Sequence, residues 1–408
     1  MKEGWQIKPL GDVCDVIGGG TPAKGNPAFY EGDIPWATVR DMKTERLSKT
    51  EFRISEAAVK QSSTNIIPSN NVVIATRVGL GKVCLLEQDT AINQDLRGII
   101  PRVSGLDVWY LFRWLQSVSH LIEAEGTGAT VKGVKLPFIK SLQVPIPPLS
   151  EQKRIVAILD EAFAGIARAV ANAEKNLANA RELFESHLNA VFTRKGEGWK
   201  EKRLGDVVTR LTNGYVGPTR NIYHDSGIPY LLARHVKNNR LLFDGKTYIT
   251  VEFNRKNKKS MLKAGDVLLV QSGHIGHSAV VTEEHEGHNC HAMIVISPVK
   301  DTVTGHFLSL FFNSSEMRQR FYQIRSGATV PHLTCRAVKE LMIALPDLPT
   351  QFRLVHHSKD LQAKTQRLES IYRQKLGSLA ELKQSILQKA FSGELTANPD
   401  KTLKEAAP

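Results

Sequence analysis

Three short stretches of the chain hold residue types that perform chemistry in other settings. "HEGHNCH" supplies His285, His288, Cys290 and His291, with His274 and His277 nearby, a set of zinc-ligand types. Its spacing is not His-Glu-x-x-His, and it lies between two β-like runs, so the ligands share no helical face. "NPAF", Asn26 to Phe29, is one residue from the Asn-Pro-Pro-aromatic signature with which amino-methyltransferases grip a target amine. Such an enzyme also needs a glycine-rich strand-to-helix turn for its cofactor, and "VIGGGTP" is followed by no helical pattern. "GLGK", Gly79 to Lys82, lacks the upstream glycine and the hydroxyl residue of a P-loop. No nucleophile, base and orienting group come together elsewhere. The expectation is a chain with no catalytic residues, no bound cofactor and no metal of its own.

A different chemistry is written in polar residues that change inside a repeated frame. "GWQIKPLGDV" from Gly4 returns as "GWKEKRLGDV" from Gly198, and "GDIPWATVRDM" returns as "SGIPYLLARHV". Gly81 matches Gly276, "GTGATVKG" matches "RSGATVPH", and "PPLSEQKRIVAILD" from Pro147 matches "PDLPTQFRLVHHSKD" from Pro346. The chain is therefore a duplication covering nearly all of its length. Between the kept positions, "RDMKTERL" becomes "RHVKNNRL", "TRVGLGK" becomes "QSGHIGH" and "KGVK" becomes "HLTC". Arg, Asn, Gln, His, Ser and Thr are the side chains that read base edges in a DNA groove. One scaffold with two sets of readers implies two short sequences on one duplex. The residues expected to read DNA are Arg40, Lys43, Thr76, Arg77, Lys82 and Lys132 in the first copy. In the second they are Arg234, His235, Lys237, Gln271, Ser272, His274 and His332.

Charge agrees with a polyanionic partner. The 408 residues hold 54 Lys plus Arg against 41 Asp plus Glu, for a net +13. Residues 196–348 carry 20 basic against 14 acidic side chains, residues 1–150 only 17 against 15, so the second copy has the stronger field. Its densest cluster, "NRKNKKS" with Arg255, Lys256, Lys258 and Lys259, suits phosphate contact or a solvated hairpin turn. The four cysteines are scattered without CxxC spacing, which indicates neither a disulfide framework nor a zinc knuckle. No apolar run approaches bilayer length and "MKEGWQIKPLGD" is no signal peptide, so a soluble cytoplasmic protein with no membrane partner is expected.

The elements that must position these residues are of two kinds. Each copy begins with a mixture of β-like runs such as "NVVIAT" and "GDVLLVQ", turns, and one helical patch, an α+β globular domain. Each then enters a glycine-poor helical pattern of roughly 40 residues, long for a globular helix. Ile155, Ala162 and Ala169 recur at seven, as do Leu159, Ile166 and Ala173, followed by Leu177, Ala180, Phe184, Leu188 and Val191. In the second helix Leu354, Leu361 and Leu368 recur at seven, followed by Ile371, Leu376, Leu379, Leu382 and Ile386. Such stripes call for a partner helix, and the other copy is the simplest one. The expected fold is α+β: two similar globular domains, 1–150 and 196–348, separated by a long antiparallel two-helix coiled coil. Its helices are 151–195 and 349–395, with a tail at 396–408 and an internal pseudo-two-fold repeat. The rival arrangement packs each helix on its own domain.

The chain resembles the specificity subunit of type I restriction-modification systems. "GGGTPAKGNPAFYEGDIPWATVRDM" is similar to the opening of that family's target recognition domain. "PPLSEQKRIVAILD" is similar to the start of its central region, and "LKQSILQKAFSGEL" to that of its C-terminal region. The resemblance implies two target recognition domains, each reading one half of an asymmetric bipartite target in double-stranded DNA, with helices that set the gap. It also implies partners: two modification subunits, which bind S-adenosylmethionine and methylate adenine, and restriction subunits that translocate and cleave DNA. The second copy departs from the pattern, with "LPTQFRL" where the family more often keeps Ser-Glu-Gln, and this puts the local helix cap in question. A coiled-coil scaffold or an RNA-binding protein is the alternative. A scaffold has no need to vary polar residues in a kept frame, and RNA readers would show aromatic stacking motifs.

Overall fold

The computed structural model describes residues 4–128, 133–237, 239–327 and 329–397. It divides into two compact units, and neither is a sequential copy. One comprises residues 1–173 with 375–408; the other is 174–374. The division falls inside the two long helices, Leu149–Arg194 and Leu348–Ser392, so each unit is a globular domain with half of each helix.

In the first unit a five-stranded sheet runs in the order Cys14–Gly18, Leu96–Pro101, Val72–Ala75, Val83–Leu86, Arg46–Leu47. Its pairings are antiparallel except for the last, which is parallel. "VVIA" is buried at every position because both faces of the strand are covered. Val72 and Ile74 pack with the helix Val108–Ser117, while Val73 and Ala75 pack with Val39, Met42 and Ile67, as a period of two requires. A second sheet of four strands, Phe52–Ile54, Ile34–Ala37, Thr90–Ile92 and Asn65–Ile67, carries Trp36. The second unit repeats the plan. Val267 and Leu269 face one core and Leu268 and Val270 the other, in the sheet Val208–Asn213, Met293–Pro298, Val267–Val270, Ser278–Val280. The hairpin after the central strand turns through Gly81 (φ +78°) in one copy and Gly276 (φ +89°) in the other. A Cβ there would also come within 2.9 Å of Ser119 O or 2.8 Å of the Phe321 ring. Both reasons keep the position glycine.

The repeated helix start is explained by its glutamine. Gln152 is fully buried: its Nε2 donates to Gly105 O (2.7 Å) and Pro147 O (2.8 Å), and its Oε1 accepts from Asp107 N (2.8 Å). Gln351 makes the same set, to Thr302 O (3.0 Å), Pro346 O (3.0 Å) and from Thr304 N (2.9 Å). Asp107 and Thr304 are themselves the N-caps of the helices Val108–Ser117 and Gly305–Asn313. One amide thus locks the long helix onto its domain by satisfying three backbone groups. The loss of Ser-Glu from the second copy leaves that lock intact. Gln351→Ala is expected to cost about 3 kcal/mol, since each orphaned buried group costs about 1–3 kcal/mol. The exposed neighbour Phe352→Ala should cost far less, and urea denaturation of the two variants compares them.

Within each unit the helices run antiparallel. Lys383 lies over the Phe163 ring at 4.8 Å in the first, and in the second Arg181 pairs with Glu369 (3.3 Å) while His187 meets Ser358 (3.2 Å). The central helix buries the expected stripe, including Ile155, Leu159, Ala173, Ala180 and Leu188. The seam of the C-terminal helix is displaced by one residue from the leucine stripe. Val355, Ser358 and Thr365 are buried, whereas Leu368 and Ile371 are 38% and 47% exposed. The leucine spacing misleads because half of this seam is polar.

Candidate nucleic-acid interface

In the first unit the polar candidates sit at the ends of buried strands. After the strand Ile34–Ala37, a tight turn over Val39–Asp41 is closed by Thr38, whose Oγ1 accepts from Arg40 N (3.2 Å). Asp41 accepts from Thr38 N (2.7 Å) and Glu51 N (2.8 Å). The Arg40 backbone is therefore fixed, and its exposed guanidinium has no ion-pair partner among the described residues. Lys43 and Lys82 are likewise exposed. Arg77 pairs with Asp95 at 3.6 Å. Thr76 is 2% exposed, and its hydroxyl is turned to Asp95 O (3.4 Å), so it belongs to the scaffold rather than to a reading surface. Lys132 lies outside the described residues. Its neighbour Gly133 pairs with Thr127, and Val134 N donates to Thr76 O (2.9 Å), bringing that segment to Arg77.

The second unit repeats this junction with other side chains. Gln271 stands where Thr76 does, and its carbonyl accepts from Leu333 N (2.9 Å) as that of Thr76 does from Val134. Ser272 and His332 form a bridge beside it. The Gln271 Oε1 is buried without a protein partner among the described residues. His274 is exposed and stacks edge-on to His277 at 5.8 Å. Arg234 differs from Arg40 in being held by Asp244 (2.9 Å), and Lys237 is exposed on a short ribbon.

His235 is a correction to the expected set. It is 1% exposed; its Nδ1 accepts from Leu232 N (3.0 Å) and its Nε2 faces Asp244 Oδ1 (3.0 Å). Burial pushes its pKa down, against the opposing pull of Asp244. With both nitrogens taken, it positions Asp244 and through it Arg234. The hydrogen bond from Arg234 is the largest of the effects that hold the Asp244 carboxyl well below the usual range.

In the remaining histidine cluster His285 and Cys290 are buried, and the Nδ1 atoms of His288 and His291 are buried without a protein partner among the described residues. His285 Nδ1 meets Thr282 Oγ1 (2.8 Å), and burial pushes the His288 and His291 imidazoles down and the Cys290 thiol up to about 12. Among the described residues no three His, Cys, Asp or Glu side chains stand close enough to hold a metal. "NRKNKKS" forms no hairpin: it ends the helix Val251–Lys256 and enters a 3₁₀ turn, with its four cations exposed. "NPAF" forms a 3₁₀ turn, and no helix follows "VIGGGTP".

Sequence reasoning missed Asp95 and Asp244, the acids that hold two of the candidate arginines. It also missed a cleft of about 620 Å³ that Arg40 and Asp95 share with Trp36 and Phe52. The repeated Ile-Pro-aromatic motif marks Trp36 as framework, and only the fold shows that framework meeting open space.

Comparison with known proteins agrees with this duplicated plan. The type I restriction enzyme MjaIX specificity subunit of Methanocaldococcus jannaschii is 26% identical over 379 residues, 85% of this chain and 84% of that one. The EcoR124I/EcoR124II specificity subunit of Escherichia coli is 37% identical over 169 residues, 40% of this chain and 42% of that one. A solved chain from work on assembly and conformational transition of the type I R-M system superposes with a TM-score of 0.78. It is 19% identical and covers 97% of this chain and 99% of that one, a likeness of fold. The model of the family described as type I restriction modification DNA specificity domain matches twice, over residues 2–173 and 196–376, and the chain belongs to that family.

Proposed function

We propose that this chain is the DNA-recognition subunit of a type I restriction-modification complex. Each globular domain reads one half of a bipartite target, and the two long helices set the unspecified gap and dock the modification subunits. The observation that carries this reading is the repeated strand-end junction. The hydrogen bond from Val134 to Thr76 recurs from Leu333 to Gln271, while the polar residues around it differ, as two different half-sites require. S-adenosylmethionine and methyl transfer are assigned to the modification subunits, and DNA translocation and cleavage to the restriction subunits. The chain itself contributes position and sequence choice. Among the described residues no helix is long and apolar enough to cross a bilayer.

The test uses the chain assembled with its modification subunits on a duplex target identified from methylated adenines in the source genome. Arg77→Ala is expected to relax one half-site and Gln271→Ala the other, each by about 1–3 kcal/mol. Lys237→Ala, if it removes a phosphate contact, should weaken all sequences alike. Loss of the same half by both variants would sink the assignment of one domain to each half.

A further inference from the structure

The cleft in the N-terminal domain has the makings of a binding site for a single aromatic ring. At about 620 Å³ it falls within the size range of small-molecule pockets. Its wall is a cluster of three rings: Tyr30 and Phe52 stand edge-on to Trp36, at 6.0 and 6.3 Å. Two of the rings are pinned by their polar tips. The Trp36 indole N–H donates to Gly20 O (3.2 Å), and the Tyr30 hydroxyl donates to Pro22 O (2.8 Å). Phe52 is 41% exposed, an apolar face left open to solvent. The polar lining includes Gln94, whose Oε1 accepts from the Thr21 hydroxyl and whose amide NH2 suits an acceptor on the edge of a nitrogen heterocycle. It also includes Asp95, whose carboxylate is held by Asn93 Nδ2 (3.1 Å) and Arg77 (3.6 Å). Lys24 and Arg40, both exposed and without ion-pair partners among the described residues, line the cleft as well and suit a phosphate.

We infer that this cleft takes one nucleobase unstacked from the half-site read by the N-terminal domain, a ligand of aromatic, hydrogen-bonding and anionic character matching wall, polar lining and cations. The inference rests on the DNA-recognition reading and adds to it a base held outside the stack. It applies to one domain. By strand register Tyr230 and Thr247 occupy the places of Trp36 and Phe52, and Thr247 is buried with its hydroxyl donating to Tyr230 O (3.0 Å). Tyr223 and Phe253 close around Tyr230, at 6.1 and 6.5 Å. Base unstacking is cheapest where an aromatic face replaces the lost neighbours.

The experiment places 2-aminopurine at each position of the half-site in turn, the methylated adenine excepted, in duplexes bound by the chain with its partner subunits. One position is expected to brighten with wild type and to return to the duplex level with Phe52→Thr, which installs the residue of the second domain. Affinity for the target should fall about tenfold. A target bound with full half-site preference but with no brightened position, or with brightening unchanged in Phe52→Thr, overturns the inference and leaves the recognition reading standing. Absence of any preference for the target over a scrambled duplex overturns the recognition reading itself. Equilibrium dialysis with deoxynucleoside monophosphates separates the other source of the same chemistry. Free nucleotide bound by wild type and lost in Phe52→Thr, with no brightened position in the duplex, overturns the assignment to a base of the target.

Discussion

A chain lacking one heptad from each long helix, residues 171–177 and 370–376, is expected to select a target whose gap is about three base pairs shorter. The windows lie between the contact of Phe163 with Lys383 in one unit and that of Arg181 with Glu369 in the other, so both contacts are retained. A seven-residue deletion also keeps the burial pattern: Ala180 takes the place of Ala173 in the central helix, and Leu379 that of Tyr372 in the other. Each helix, 46 and 45 residues long, loses about 10 Å at 1.5 Å per residue, which is three base pairs at ~3.4 Å each. Three base pairs also turn the duplex by roughly 100°, given 10–10.5 per turn. Affinity is therefore expected to drop while the preferred spacing shifts. Binding to a series of duplexes that differ only in gap length reads both effects. A folded deletion variant that still binds best at the original gap would refute the helices as a ruler.

The architecture was legible because duplication doubles every signal. Two glycines at matching turns, two aromatic residues after Ile-Pro and two glutamines at matching helix starts each have one physical cause seen twice. What stayed hidden was whether a polar residue is spent on the fold. Thr76 and His235 lie in segments that vary between the copies, as a reader would, yet their polar atoms are turned to Asp95 O in one case and to Leu232 N and Asp244 in the other. Side-chain type states hydrogen-bonding capacity; only the folded neighbourhood states what has already used it. The C-terminal seam was misplaced for the same reason. Ser358 and Thr365 are buried while Leu361 is half-buried and Leu368 exposed, and a hydrophobic period does not register buried hydroxyls. Gln152 shows the converse, since a glutamine in the first turn of a helix reads as a solvated cap until its three backbone partners are seen.

Arg113→Ala is expected to remove about 3 kcal/mol from the first unit, the low end for breaking a buried ion pair. The guanidinium is 5% exposed and holds Glu45 (2.7 Å) and Asp160 (2.6 Å), the second on the central helix, so it ties that helix to its domain. Its two carboxylate partners are 42% and 49% exposed and can rehydrate, which is why the low end applies. Part of the loss is packing, since the guanidinium lies over the rings of Phe112 (5.2 Å) and Phe163 (5.0 Å). Arg113→Met keeps an apolar stem among those rings and is expected to recover about 1 kcal/mol. The charge component has its own pH signature. Burial pushes the Glu45 carboxyl up, but the hydrogen bond and charge of Arg113, with Gln116 and Lys383, outweigh it and hold the pKa below its ordinary 4.5. A lowered folded-state pKa stabilises above the unfolded value and loses that contribution as pH falls from about 4.5 through the folded value. In Arg113→Met burial acts on Glu45 without that opposing charge, so the stability gap between wild type and variant should be widest near neutral pH and narrow below 4.5. Denaturation of both proteins across that range measures the gap, and a difference that stays constant with pH would show that Arg113 serves the fold by packing alone.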